Sequence, residues 1–140
     1  AEKIAGITGG ELYEILPTEP YSAEDLDYND AESRASAERN NSDARPEIGS
    51  GTLELDGYAT VYIGYPIWWG SAPRIMSTFV ESYDFDGITL IPFCTSGSSG
   101  IGNSAEQLAE QAGSGTWISG VRFSGSVSES DLQSWVDESQ

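Results

Sequence analysis

From residue 59 onward, short runs of β-branched and aromatic residues alternate with segments whose apolar residues recur every three or four positions. Ala59-Thr60-Val61-Tyr62-Ile63-Gly64-Tyr65 is the clearest run, and Ile75, Met76, Phe79, Val80 and Tyr83 follow it as one helical stripe. Ile88-Thr89-Leu90-Ile91-Pro92-Phe93 repeats the first pattern, and Ala105, Leu108, Ala109 and Ala112 repeat the second, with Gly113 beyond the end. Trp117 to Phe123 is the last run. Behind a cap-like Ser128-Glu129-Ser130-Asp131, Leu132, Trp135 and Val136 give the last helix its buried side. Such alternation predicts an α/β fold, a parallel sheet covered on both faces, with strands near 59–65, 88–94 and 117–123 and helices near 72–83, 103–112 and 128–138. Right-handed crossovers set 59–65 beside 88–94. Pro92 counts against a central place for its strand, because it gives the ladder no N–H, although it lies near the strand's exit.

Upstream, Ala1 to Ile7 predicts a helix ended by Gly9-Gly10, and residues 11–16 predict a short strand stopped by Pro17 and Pro20. Residues 18–57 are polar and acidic, a long excursion for a compact domain, with a helix expected over 31–39. The first helix opens with its apolar stripe already running and nothing ahead to cap it, so the chain is expected to start late.

At 140 residues the chain predicts a single domain, 1–140. Six basic residues face 23 acidic ones, a net charge of −17, which repels nucleic acid and anionic membranes and suits basic protein partners. There is no histidine and one cysteine, Cys94, so Ser-His-Asp and Cys-His nucleophile systems, histidine zinc sites and an intramolecular disulfide are all excluded. No catalytic or metal-ligating residue is expected; reactive chemistry would be borrowed from a cofactor. Asp84-Phe85-Asp86-Gly87 lacks the spacing of a calcium loop and predicts a turn. No apolar run reaches membrane-spanning length and no leader pattern opens the chain, so a cytoplasmic, soluble protein is expected.

Two loops at the exits of successive strands are the candidate site. In the first, Pro66 breaks the strand before Ile67, two adjacent indoles, Trp68 and Trp69, and Gly70, and a helix restarts at Pro73. On these residues alone, a wall for a flat ligand and a cap on the core are both open. The second is Thr95-Ser96-Gly97-Ser98-Ser99-Gly100, whose hydroxyls and unhindered amides suit a polar ligand edge or phosphate, or make a plain flexible turn. In doubly wound sheets, ligands sit at the carboxyl ends of the strands.

With Pro66-Ile67-Trp68-Trp69-Gly70 and Phe93-Cys94-Thr95-Ser96-Gly97 both present, the whole chain resembles the flavodoxin-like family, in the bacterial group that carries these two loops. The resemblance implies a doubly wound, three-layer α/β/α sheet and FMN as cofactor. Pro66, Ile67, Trp68, Trp69 and Gly70 would border the isoalloxazine, with Tyr65 at the head of the motif counted among the binding residues. Thr95, Ser96, Gly97, Ser98, Ser99 and Gly100 would meet its polar edge and ribityl chain. The family's first strand and phosphate-wrapping turn are expected to be absent from these residues, and three outcomes stay open: a longer polypeptide supplies them, the two flanking strands close the gap, or another chain provides a strand. The implied role is electron transfer with basic redox partners. An NAD(P)H-dependent quinone or flavin reductase and a redox-inert interaction domain are the alternatives.

Overall fold

A computed structural model describes the chain except for Tyr28, Ser42, Thr52, Asp56, Trp69, Gly70, residues 97–99, Gly125 and Gln140, and the side chain of Ser139. The elements run α1 (Glu2–Thr8), α2 (Arg34–Asn40), β1 (Thr60–Pro66), α3 (Arg74–Ser82), β2 (Thr89–Thr95), α4 (Ser104–Ala112), β3 (Thr116–Trp117), β4 (Val121–Phe123) and α5 (Glu129–Ser139). All strand pairs are parallel. β1 and β2 run in continuous register from Thr60 opposite Thr89 to Pro66 opposite Thr95.

The expected last strand is two strands. Both pair with β2, but three steps along β2, from Leu90 to Phe93, correspond to four on the partner, from Trp117 to Val121. The extra residue is taken up in 118–120, where Gly120 leaves room for Ile101. The same break explains how Pro92 occupies the central strand against expectation. The carbonyls of Ile88 and Leu90 face β3, accepting from Thr116 and Ile118. By alternation Pro92 faces that side too, so its missing donor points at the interruption and no regular ladder bond is lost.

Residues 11–16 form no strand, contrary to the sequence prediction. The period of two survives, with Tyr13 and Ile15 packed on the core and Leu12 and Leu16 exposed. The backbone, however, is served by another loop. Ser50 Oγ accepts from the Leu16 amide (2.8 Å) and donates to Glu14 O (2.6 Å), and the Gly49 amide donates to Leu16 O (2.7 Å). Among the described residues, a single antiparallel bridge, Pro17 to Ile48, is the pairing found there. Tyr13 lies against Phe79 of α3, ring centroids 6.1 Å apart, so strand-like propensity is spent on a helix flank instead of a sheet edge.

The sheet divides two cores. Ile63, Tyr65, Leu90 and Cys94 pack with α3 and α4, while Phe93 packs with Ile4 of α1 and Leu132 and Val136 of α5. That is the three-layer arrangement expected. Helix starts shift by local chemistry: α2 begins after Ser33, whose Oγ accepts from the Ser36 amide (3.3 Å), and α3 begins after Pro73, the residue at its cap. Residues 84–88 are the expected turn, with the Asp86 amide donating to Asp84 Oδ1 and the Ile88 amide to Phe85 O.

Candidate functional site at the carboxyl edge of the sheet

The two candidate loops leave the sheet from a register pair. Pro66 and Thr95 stand opposite each other at the ends of β1 and β2, a separation of about 4.8 Å between strands. The first loop then closes on itself, Trp68 and Ser71 exchanging both backbone hydrogen bonds (2.8 and 3.1 Å). Trp69 and Gly70, between them, lie outside the described residues.

The acidic excursion braces this loop. Tyr21 meets Trp68 edge-on, ring centroids 5.5 Å apart at 84°, and the Arg34 guanidinium lies over the Tyr21 ring at 3.9 Å. The Tyr21 hydroxyl donates to Glu38, which also receives Arg34 Nε at 3.0 Å. Burial, and then that carboxylate, push the Tyr21 phenol well above the ordinary tyrosine range. Arg74, first residue of α3, donates from Nε and Nη2 to the carbonyls of Glu38 and Arg39 (3.0 and 2.8 Å). It thereby caps the carbonyl end of α2, where a cation is favoured. A narrow crevice between Arg39, Arg74 and Trp68 marks the seam.

The second loop is fastened by β4. The Ser96 amide continues the ladder to Phe123 O (3.2 Å), while Arg122 donates from Nη2 to Ser96 O (2.6 Å) and from Nε to Ser96 Oγ (3.2 Å). At the loop's far end Ile101 packs on Gly120, and its carbonyl accepts from Ser104 Oγ (2.7 Å). Ser104 Oγ in turn meets the Tyr65 hydroxyl at 3.0 Å. Cys94, fully buried opposite Arg122 in the register, has its thiol pushed up by burial, with Arg122 pulling the other way.

Among the expected residues, Pro66, Thr95 and Gly100 are exposed, Trp68 and Ser96 are half-buried, and Ile67 is half-buried against the core. Tyr65 is turned into the core beside Ser104. Gly97, Ser98 and Ser99 lie outside the described residues. Beyond Thr95 opens a cleft of about 310 Å³ bordered by Lys3, Ile4, Phe93, Thr95, Phe123 and Leu132. That volume suits a small organic ligand. An exposed Thr95, an unobstructed backbone at Gly100 and a half-exposed indole offer hydrogen-bonding groups and stacking area of the kind a flavin needs. Tyr21 and Arg122 were not singled out from sequence. Arg122 had one visible mark: a cation inside an apolar strand of a chain with very few cations.

Among the described residues, no His, Cys, Asp and Glu cluster could hold a metal ion, and no helix is long and apolar enough to cross a membrane. The Flavodoxin family profile matches residues 1–139. No curated protein sequence matches the chain. Among solved structures, a protein of Bacteroides eggerthii assigned to the flavoproteins is 42% identical, with a TM-score of 0.90 over 98% of this chain and 86% of that one. Its counterpart from Bacteroides uniformis is 43% identical, with a TM-score of 0.91 over 97% of this chain and 86% of that one. A flavoprotein of Lactobacillus acidophilus in complex with FMN has the same fold at 22% identity, TM-score 0.69, over 96% of this chain and 87% of that one.

Proposed function

The chain belongs to the flavodoxin family, and we propose that it binds FMN at the carboxyl edge of the sheet and works as an electron carrier. The observation behind this reading is the pairing of Pro66 with Thr95, which starts the indole loop and the hydroxyl-rich loop side by side. Trp68 and Trp69, with Pro66, Ile67 and Gly70, form the wall for the isoalloxazine. Thr95, Ser96 and the amides and hydroxyls of 97–100 meet its polar edge and ribityl chain. Bound FMN supplies the redox chemistry. The chain holds and orients the ring: Tyr21 and Arg74 keep the indole loop in place, and Arg122 keeps the start of the polar loop.

With a net charge of −17, the surface orients basic redox partners through a field that salt weakens. The buried, reduced Cys94 suits the cytoplasm. Among the described residues no strand lies along the outer edge of β1, which leaves room for one more strand to pair there.

The test is titration of FMN against tryptophan fluorescence. Saturable quenching is expected, and Trp68→Ala should weaken binding by about 1–3 kcal/mol, the size of a base–aromatic stack, with circular dichroism unchanged. A wild-type chain that takes up no FMN would favour the redox-inert interaction domain. Turnover of NAD(P)H without a partner protein would favour the reductase. Against the reductase, Arg74 is committed to two α2 carbonyls, which leaves it poorly placed to receive a 2′-phosphate.

A further inference from the structure

We propose that the outer edge of β1 is a strand-accepting slot, filled by one extended, apolar segment of a partner chain that lies between β1 and residues 11–16. The proposal does not depend on the flavin reading. The Ala59 carbonyl accepts from the Thr89 amide of β2, so by alternation Thr60, Tyr62 and Gly64 turn their amides and carbonyls the other way. Among the described residues no backbone partner meets them there. From Thr60 to Tyr65 the strand carries no charge and no bulge, the devices that normally blunt an open edge, and a proline enters only at its end, Pro66. The Tyr62 hydroxyl is also buried without a partner, although buried polar groups are normally paired.

The opposite wall is unfinished in the same way. Ser50 and Gly49 serve Glu14 and Leu16, so the amides and carbonyls of Tyr13 and Ile15 lie on the other flank, without a backbone partner among the described residues. This segment runs in the same direction as β1, since Glu11 accepts from the Tyr58 hydroxyl ahead of the strand and Tyr21 meets the Trp68 ring beyond it. Both contacts are made by the tips of long side chains, so the two backbones stand farther apart than the roughly 4.8 Å of paired strands. The faces of the slot are apolar: Tyr13, Ile15, Ile63 and Tyr65 belong to one core, Tyr62 and Ile4 to the other. A strand buried on both faces is a Val- and Ile-rich run. A second copy of this chain does not fit, because its β1 comes attached to β2 and to helices, too broad for a gap walled by residues 11–16, and each copy carries a net charge of −17. The same charge favours an occupant with basic residues on either side of its apolar run.

The experiment follows amide hydrogen exchange of the chain alone and with a synthetic peptide that has a Val- and Ile-rich middle and lysines at both ends. In the chain alone, the Tyr62 and Gly64 amides should exchange faster than those of Val61, Ile63 and Tyr65, which face β2. The peptide should slow Tyr62, Gly64, Tyr13 and Ile15 about tenfold, one hydrogen bond's worth of protection each, and leave the β2-facing amides unchanged. A control peptide with the same lysines and a proline in its middle keeps the charge and cannot pair, so it should protect none of them. Thr60→Pro removes one outward donor at the first residue of the strand, where proline is tolerated, and should weaken peptide binding about tenfold with circular dichroism unchanged. Equal protection by the proline peptide, or binding without protection of Tyr62 and Gly64, overturns the proposal. So do strong protection of those two amides in the chain alone, which means that the walls have closed on each other, and a two-copy species in sedimentation, which means that a second copy covers the edge. The wild-type exchange pattern decides the matter even if Thr60→Pro does not fold.

Discussion

Tyr21 stands edge-on to Trp68, ring centroids 5.5 Å apart at 84°, and so joins the acidic excursion to the loop that carries the indoles. The Arg34 guanidinium covers a face of the same Tyr21 ring. The excursion is therefore a brace on the candidate site.

Replacing Tyr21 separates the two parts of that brace. Tyr21→Leu removes the aromatic pair, worth about 0.5–1.5 kcal/mol beyond its area, and should weaken FMN binding by a similar amount while changing the Trp68 emission. Tyr21→Phe keeps the edge contact and loses the hydroxyl donated to Glu38. It should bind FMN like wild type and unfold about 1 kcal/mol more easily. Fluorescence titration and denaturant unfolding measure the pair.

The phenol also gives the brace a pH limit. Its folded-state value is raised, by burial and then by Glu38, above the ordinary tyrosine range. A raised value means that the stabilisation is complete below the unfolded value and lost as pH rises through the folded one. Tyr21 should therefore be among the last tyrosines to ionise in an alkaline titration followed by tyrosinate absorbance. Trp68 emission should change in the same step, when two anions come to share the contact.

Two glycines with positive φ should differ sharply in tolerance. Gly87, at φ 80, has open space where a Cβ would go, whereas at Gly115, at φ 86, a Cβ would stand 2.4 Å from Leu90 Cδ1 and 2.9 Å from Phe85 Cβ. Gly87→Ala should cost only the backbone term, about 1 kcal/mol. Gly115→Ala adds overpacking against two fully buried side chains and should cost about 3 kcal/mol. Thermal unfolding of both variants decides it.

Arg45 and Glu81 form a two-pronged ion pair, Nε to Oε1 at 2.8 Å and Nη2 to Oε2 at 2.9 Å, at the surface. The arginine's hydrogen bond holds the Glu81 carboxyl below the ordinary glutamate range. A lowered value contributes stability above the unfolded value, lost as pH falls through the folded one. Arg45→Ala should cost under about 1 kcal/mol at neutral pH and less at a pH where Glu81 is protonated. Acid unfolding of both chains measures the difference.

The periodicities of residues 59–138 were enough to determine three strand-forming regions, the helices between them and the two loops at their exits. Each of these depends on neighbours within a few residues, as with the stripe of Ile75, Met76, Phe79 and Val80 that buries one side of α3. Residues 11–16 carry the same local pattern and form no strand, because pairing depends on which backbone lies alongside, and there it is the 47–51 loop. The split of the last strand was likewise decided by contact, through Ile101 settling on Gly120. Arg122 lies 26 residues from Ser96, and nothing in either segment alone says that a guanidinium will close on that carbonyl. Local sequence determines which elements form because periodic burial and backbone preference act at short range. The braces of the site, Tyr21 on Trp68 and Arg122 on Ser96, belong to the tertiary structure, because only the folded sheet brings those distant segments within reach of one hydrogen bond or one ring contact.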